Sequence, residues 1–396
     1  MQIGLGFSQS KNPVQAVKEA LNMARQTMAA AKEDLAIVFS TPELSSNTLL
    51  RALNDSSKGI VVIGASAPQV ICNQGIFKQG LVLLLISFST GINFNVAYYR
   101  GLKQATLESG KELAIRLCEG LRDKHRALGL LLGDIHISED SGFMDGFKDN
   151  AGAGFPLVGA FISSSHESVQ YAYLNRDLLR DSCVGLLLAG KLYCGIGSYH
   201  GWIPLGKPHQ ITLAEGNLIK EIDNKPAVSL YEEYLGSDRQ GLIKNLGHIS
   251  MLYPLGLPQK EGREYLLRSP VSIEEDGALR IMGSLTYQRQ VRLMMANQES
   301  CLEAARQAVE NANLNFAGIA NSKIKKFALI FSSLARGKVL RRNYSTELEV
   351  IKSGLGEDIP VIGVCNYSGF APQGEINYQR ELFINNHNVS ILSLGG

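Results

Sequence analysis

One supersecondary pattern is written three times along this chain, and that repeat constrains the fold more than any other feature of the sequence. In the first copy an apolar strand at 35–40 is followed by a helical stretch at 47–53, a second strand at 60–64, a loop containing Gly75 and an apolar run at 81–88. The second copy runs through 128–133, 143–151 and 156–159 and, after a polar loop, 183–189. The third runs through 327–332, 345–355, 360–363, a loop with Gly369 and Gly374, and 389–394. A helix precedes each copy. The first, capped by Asn12 and opened by Pro13, is expected to reach residue 31, with Val17, Leu21, Ala24 and Met28 at helical spacing; the others span 105–121 and 298–312. The unit is therefore helix, strand, helix, strand, long loop, strand. Short buried strands alternating with helices predict an α/β fold of three repeated units in layered sheets.

The repeat also places function. Gly64, Gly159 and Gly363 are expected to break each second strand where the chain leaves the sheet. Loops at the carboxyl ends of strands form the usual crevice of α/β folds. The loops after Phe39, Gly64, Gly133, Gly159, Phe331 and Gly363 are thus the expected walls of a shared pocket. Between the second and third copies, 193–293 is richer in strand and turn signals, and 226–236 reads as one helix with Pro226 in its first turn and Gly236 at its end. A boundary near this helix divides the chain into 1–220, with two repeats and a connecting motif, and 221–396, with the third repeat.

Charge and cysteine usage exclude several classes. Lys and Arg number 39 against 37 Asp and Glu, a net charge of +2, and the basic residues are scattered, so no nucleic-acid stripe or membrane-surface helix is expected. The apolar runs at 81–88 and 184–189 fall far short of the roughly 20 residues a spanning helix needs. The first residues carry no signal-peptide pattern. The six cysteines form no CxxC pair and read as reduced core thiols, which points to the cytoplasm.

A resemblance enters at the middle and end of the chain. Gly201, Trp202, Pro204 and Gly206, then residues 211–217, then Glu221-Ile222-Asp223 and Lys225-Pro226-Ala227, are similar to the central pattern of the FIST family. Pro360 to Gly363, followed by 369–376 with Gly374-Glu375, resembles that family's closing signature. The resemblance covers about residues 4–394 and implies tandem FIST N and FIST C domains. It implies an intracellular sensory module that binds a small ligand and regulates a signalling partner, a histidine kinase or a cyclic-dinucleotide enzyme. One stand-alone subfamily of similar size binds haem and senses nitric oxide, so haem b is the cofactor that this sharper form implies. In one place the chain departs from the family: Ser stands where the third copy usually has Cys after its first strand, while Arg336 is kept.

Candidate residues follow. Arg336 and Glu375, after strands of the third copy, could together hold a zwitterion such as an amino acid, or could pair with each other and fix two loops. Gly369 and Gly374 flank that site, and Trp202 is either a packing anchor or a stacking face. A haem would need an axial histidine: His166 in the loop after Gly159 ranks first, then His200 and His209 around the Gly-Trp motif. No catalytic signature is found. Residues 185–191 have phosphate-loop spacing, but Leu192 replaces the needed Ser or Thr and the match lies inside an apolar strand. Four readings therefore compete: a ligand sensor with or without haem, an amino-acid-binding module, a ligand-independent interaction scaffold, and an enzyme.

Overall fold

The computed structural model describes residues 1–28, 32–57, 59–134, 142–152, 156–162, 169–259, 264–285, 289–316, 326–372 and 382–396. The repeat is real, and each copy is larger than its sequence signal. Unit 1 comprises β1 (Gln2–Ser8), α1 (Pro13–Gln26), β2 (Leu35–Ser40), α2 (Asn47–Ser56), β3 (Val61–Ser66), the hairpin β4 (Gln69–Cys72) and β5 (Gly75–Phe77), and β6 (Leu81–Ser87). Unit 2 comprises β7 (Asn93–Arg100), α3 (Leu107–Cys118), β8 (Arg126–Asp134), α4 (Phe143–Ala151), β9 (Leu157–Ile162), the hairpin β10 (Ala172–Leu174) and β11 (Asp177–Leu179), and β12 (Ser182–Ala189).

Unit 3 begins at β13 (Tyr193–Tyr199) and is then interrupted by an inserted domain. The insert holds β14 (Ile203–Glu215), β15 (Leu218–Ile222), β16 (Lys225–Pro226), α5 (Ser229–Leu235), α6 (Arg239–Leu252), β17 (Leu255–Pro258), β18 (Tyr265–Arg268), β19 (Pro270–Ile273), β20 (Leu279–Ile281) and β21 (Gln290–Met295). Unit 3 resumes with α7 (Gln298–Asn313), β22 (Lys326–Ser333), α8 (Leu334–Leu340), α9 (Tyr344–Leu355), β23 (Val361–Asn366), the hairpin β24 (Ser368–Pro372) and β25 (Leu382–Asn386), and β26 (Val389–Gly395).

Each unit supplies four strands to its own six-stranded sheet and lends its hairpin to another. The orders are β1-β6-β2-β3-β10-β11, β7-β12-β8-β9-β24-β25 and β13-β26-β22-β23-β4-β5. Unit 2 thus completes sheet 1, unit 3 completes sheet 2, and unit 1 completes sheet 3. This cyclic exchange closes the three units into one body. The middle strands pair in parallel in every sheet, Ile37 with Ile63, Leu130 with Val158 and Leu329 with Ile362, and the remaining neighbours are antiparallel. The inner faces of all three sheets meet in one apolar core that includes Phe39, Ile63, Leu130, Val158, Leu329 and Phe331. Helices cover each outer face over separate cores. At the centre, where a shared hollow is expected from the repeat, Phe39 and Phe331 pack edge to face with centroids 6.4 Å apart.

The sequence reading needs correction at several points. Gly64, Gly159 and Gly363 do not end their strands; they sit inside β3, β9 and β23. A Cβ there would lie 1.7, 1.9 and 2.0 Å from the carbonyl oxygens of Val38, Leu131 and Ile330, so these glycines permit close strand approach. The first helix stops at Gln26, and residues 29–31 lie outside the described residues. Residues 193–199 belong to sheet 3 rather than to the β-rich segment. Residues 225–226 form a bridge strand, so the helix foreseen over 226–236 starts at Ser229; Gly236 does terminate it, at φ +64°.

A second glycine pattern sets the first strands against their helices. A Cβ on Gly4 or Gly6 would lie 2.2 or 1.9 Å from the carbonyl oxygen of Ala24 or Ala20 in α1. The equivalents Gly195 and Gly197 would lie 2.3 and 2.0 Å from those of Ala312 and Ala308 in α7. Helix and strand backbones touch directly there. Gly197→Ala is therefore expected to cost about 1–3 kcal/mol by overpacking against main chain, read as a lower urea midpoint at unchanged slope. A loss below a few tenths of a kcal/mol would show that α7 can lift away freely.

Candidate functional site

The strand ends of sheet 3 and the inserted domain enclose a cavity of about 210 Å³. Its floor is Ser333 at the end of β22, Ala335 in α8, Tyr367 just after β23 and His387 in the β25–β26 turn. Its roof comes from the insert: Leu246, Gly247, Ser250 and Met251 of α6, and Ser269, Pro270, Val271 and Met282 around β19 and β20. The position matches the rule that crevices form outside the carboxyl ends of parallel strands. No Asp, Glu, Lys or Arg is among these lining residues.

The turn that carries His387 is Asn385-Asn386-His387-Asn388, and all four side chains are buried. Polar groups taken from water need partners. Asn385 Nδ2 donates to Ala371 O and Ser198 Oγ, both at 3.2 Å, and Asn388 Nδ2 donates to Ser198 Oγ at 2.9 Å. These bonds face the three-unit core. Asn386 Nδ2 donates to Leu267 O and Met282 O at 3.2 and 3.1 Å, toward the insert. Arg268, also buried, adds to this seam by donating to Ser284 O, Leu267 O and Ile384 O at 2.7, 2.9 and 3.0 Å. Burial of its guanidinium pulls its pKa down to about 9.

His387 is 3 % exposed and has a left-handed backbone at φ +66°. Its Nε2 lies 3.2 Å from Ser250 O and 2.9 Å from Ser269 Oγ. A carbonyl can only accept, so Nε2 carries the proton and Nδ1 is the acceptor. Nδ1 is buried and has no hydrogen-bond partner. Trp202 stacks on the ring at 4.8 Å with planes 24° apart, and its own indole N–H donates to Leu252 O at 3.2 Å. Burial, followed by the electrostatics of His200 and Arg336 nearby, pushes the imidazole pKa down to about 3, so the ring is neutral at pH 7.

The structure distributes the sequence candidates as follows. Arg336 is fully buried in α8, where Nε donates to Glu347 Oε1 at 2.6 Å, one terminal nitrogen to His200 O at 2.5 Å and the other to Cys301 O at 2.6 Å. Burial opposes its charge, but Glu347, together with Cys301 and Tyr344, outweighs that and raises the pKa. Ser332, at the end of β22, donates to Glu347 Oε2 at 3.1 Å. This network joins α7, α8, α9 and the chain leaving β13, and it does not line the cavity. Glu375 and Gly374 lie outside the described residues, as do His166 and His136. Gly369 is in β24, where a Cβ would stand 2.5 Å from Gly159 O. Trp202 is 3 % exposed and is not among the residues that line the cavity; it stacks on His387 and packs in a cluster with Ala335 and Met251, which do.

Both other described haem candidates have two engaged ring nitrogens. His200 Nδ1 accepts from Trp202 N at 2.8 Å, and its Nε2 lies 3.0 Å from Tyr265 O. His209 sits in the insert sheet between Asp223 Oδ2 at 2.7 Å and Tyr234 Oη at 3.3 Å. The His387 cavity is smaller than the roughly 300–1,000 Å³ pockets that hold drug-sized ligands. Neither His200 nor His209 therefore has a ring nitrogen left for a haem iron, and the His387 cavity is too small for the group. Among the described residues, no cluster of His, Cys, Asp or Glu is arranged to hold a metal ion. No helix among them is long and apolar enough to cross a membrane.

Fold and cavity together define an α/β protein of three interlocked units with one inserted domain. Family models sharpen that class: the FIST N domain matches residues 34–225 and the FIST C domain matches 227–372. The chain belongs to the FIST family, whose domains are sensory modules of signal transduction that bind small ligands. An uncharacterised protein of Methanocaldococcus jannaschii is 22 % identical over 57 % of this chain, which spans 45 % of that protein. An uncharacterised protein of Mycobacterium tuberculosis is 23 % identical over 95 % of this chain and 94 % of its own length. One from Mycobacterium bovis is 24 % identical over the same shares. Among solved structures, cyanuric acid hydrolase from A. caulinodans aligns over 99 % of this chain and 98 % of its own at TM-score 0.38 and 6 % identity. A chorismatase aligns over 100 % and 98 % at TM-score 0.36 and 10 % identity.

Proposed function

We propose that this protein is a cytoplasmic sensory module whose ligand occupies the cavity between sheet 3 and the inserted domain, and that occupancy is read by a signalling partner. The observation that carries this reading is His387: a buried ring in a left-handed turn at strand ends, bonded through Nε2 to Ser250 and Ser269 and lining with them the cavity under the insert. Strained residues with unsatisfied polar atoms gather where a ligand completes them. The same turn is bonded to the insert through Asn386 and to the core through Asn385 and Asn388. A ligand seated there would bias how the two parts sit together, which is what a sensor needs. Six free cysteines support the cytoplasmic assignment. The partner in this reading is a histidine kinase or a cyclic-dinucleotide enzyme, as the family resemblance implies.

The haem-based nitric-oxide form of this reading would need an axial ligand other than His200 and His209; His166, the first-ranked candidate, lies outside the described residues. The amino-acid form loses its carboxylate receptor, because Arg336 is committed to Glu347. An enzyme reading would use the Ser269–His387 pair at 2.9 Å. That pair has its proton on the wrong nitrogen: an Nε2 that donates to Ser250 O cannot also activate the Ser269 hydroxyl.

A cavity-blocking variant tests the reading. Gly247 lines the cavity, and a Cβ there meets nothing within 4 Å, so Gly247→Leu fills space without a clash. The low-molecular-weight fraction of a cell extract is expected to raise the Tm of the wild type and of Ile243→Ala, an exposed change on the same helix. It should leave Gly247→Leu unmoved. Equal shifts in all three, or none in the wild type, would remove the cavity from the account.

A further inference from the structure

We propose that the groove between α7 and α9 is the surface at which this protein engages a partner protein, and that the partner presents an amphipathic helix whose apolar stripe is flanked on both sides by Lys or Arg. The groove measures about 780 Å³. One wall recurs along α7 at Arg306, Val309 and Asn313, the other along α9 at Thr346, Val350 and Gly354, each at helical spacing. It arises from a local difference between the units. In unit 2 the equivalent helices meet main chain to main chain: a Cβ on Gly110 would stand 1.9 Å from Phe143 O, and one on Gly146 1.9 Å from Leu107 O. In unit 3 the glycine of α9, Gly354, faces the Val309 side chain instead, whose Cγ1 lies 2.5 Å from the Cβ site, and the space between the helices stays open. Leu314, at one end of the groove, is 58 % exposed, the most exposed large apolar side chain among the described residues. Two residues on, Phe316 packs on the half-exposed Tyr193 with centroids 6.2 Å apart. Groove and patch together are apolar surface of the kind that a partner buries.

Charge decides the occupant. Glu310 and Glu349 stand one on each wall, both exposed, and neither has an ion-pair partner among the described residues. Arg306, the one cation of the lining, is held by Glu303 at 2.9 Å. The walls therefore offer two free carboxylates, which match basic groups on either side of an inserted apolar stripe and repel an acidic one. Shape selects a helix. The wall from Arg306 to Leu314 is about 12 Å long. No strand lines it, so an extended peptide finds no sheet edge to join, whereas two helix walls suit a third helix laid between them. Both walls are tied to the cavity under the insert: Arg336 donates to Cys301 O on α7 and to Glu347 on α9, and its neighbour Ala335 lines that cavity. That the contact reports cavity occupancy rests on the sensory function proposed above; the contact itself does not.

Selection of displayed random peptides, about 20 residues long so that a helix can form, on the full-length chain tests this surface. Enriched sequences are expected to repeat apolar residues at i, i+3 or i+4, and i+7, with Lys or Arg on both flanks. Synthetic copies should bind the wild type and Ile115→Ala, an exposed change on α3, equally well. They should bind Leu314→Asp, and the double variant Glu310→Lys with Glu349→Lys, at least tenfold more weakly. All three of these positions are exposed, so the variants are expected to keep the urea midpoint of the wild type. No enrichment, acidic or aperiodic winners, or affinities indifferent to Leu314→Asp would each overturn the inference, and indifference to the charge reversal would overturn its basic partner. If the selection fails while the extract still raises the Tm of the wild type, the sensor stands and only its output surface is refuted. If peptides dock as expected and the extract shifts nothing, the groove serves a ligand-independent scaffold and the sensory reading falls alone.

Discussion

Arg336→Ala is expected to destabilise the protein by about 3–5 kcal/mol, although the residue reaches no surface. The side chain is fully buried, and so is that of Glu347. Removing the guanidinium leaves a carboxylate in a low-dielectric interior, with Ser332 Oγ still donating to it. It also strips partners from the carbonyls of His200 and Cys301. Those groups lie on the chain entering the insert and on α7, so the loss is spread over the joint that positions the cavity. The double variant Arg336→Met with Glu347→Leu removes both charges together and should recover most of the stability, because an unpaired buried charge costs more than a paired one gains. Urea midpoints for the wild type, both single variants and the double variant measure this. A single-variant loss under about 1 kcal/mol, the size of an exposed ion pair, would mean that water reaches the network. A ligand-receptor role for Arg336 predicts the opposite pattern: unchanged stability without ligand and lost binding with it.

What the sequence made legible was local. Helices α3 and α7 have strong caps, Thr106 and Asn297 with reciprocal bonds to Ser109 and Ser300, and their ends fell within a few residues of expectation. Strands β2, β6, β8, β12, β22 and β26 are apolar on both faces and announced themselves. The first strands of units 1 and 2 stayed hidden, and that of unit 3 was read into the wrong segment, because the face toward the helix is built from Gly4 and Gly6, Asn95 and Ala97, or Gly195 and Gly197, residues with little strand propensity. The paired Gly-x-Gly at 4–6 and 195–197 was the available signal. The hairpin exchange is non-local: nothing in Ala172–Leu174 states that it will pair with β3 of another unit. Helix α6 was missed because it contains Gly241 and Gly247 and buries only Leu242 and Ser250.

The candidate site was less legible still, for a related reason. Asn385-Asn386-His387-Asn388 reads as a solvated turn, yet its side chains are at most 6 % exposed. The insert covers it from some 120 residues away in sequence, through Leu267, Ser269 and Met282. An unbroken polar run between two apolar strands, without Gly, Pro or charge, was the clue. Arg336 was read as a ligand receptor or as half of an ion pair with Glu375; the partner it has, Glu347, is set by where α9 lies against β22. Glu375 could only be chosen as its partner by proximity to a strand end.

The second large effect expected is acid lability below pH 6.5, traced to His387. Its pKa in the folded chain lies near 3, against an ordinary 6.5, because burial penalises the charged ring. As pH falls below about 6.5 the unfolded chain takes up a proton that the folded chain refuses. Stability is therefore full above that pH and declines as pH falls toward 3. At pH 5 the loss from this ring alone is roughly 2 kcal/mol. His200, lowered to about 4 chiefly by burial, acts in the same direction over a narrower window, and less strongly because it is partly exposed. His387→Phe keeps a ring against Trp202 but leaves Ser250 O without its donor, so it should be less stable than the wild type at pH 7. Lacking the titrating group, it should lose less on acidification, and the two stabilities should converge by roughly 2 kcal/mol between pH 7 and pH 5. Urea unfolding at half-unit pH steps measures the convergence. Parallel curves would mean that the folded ring titrates normally, and a ring that titrates normally is reached by water rather than sealed between Trp202 and the insert.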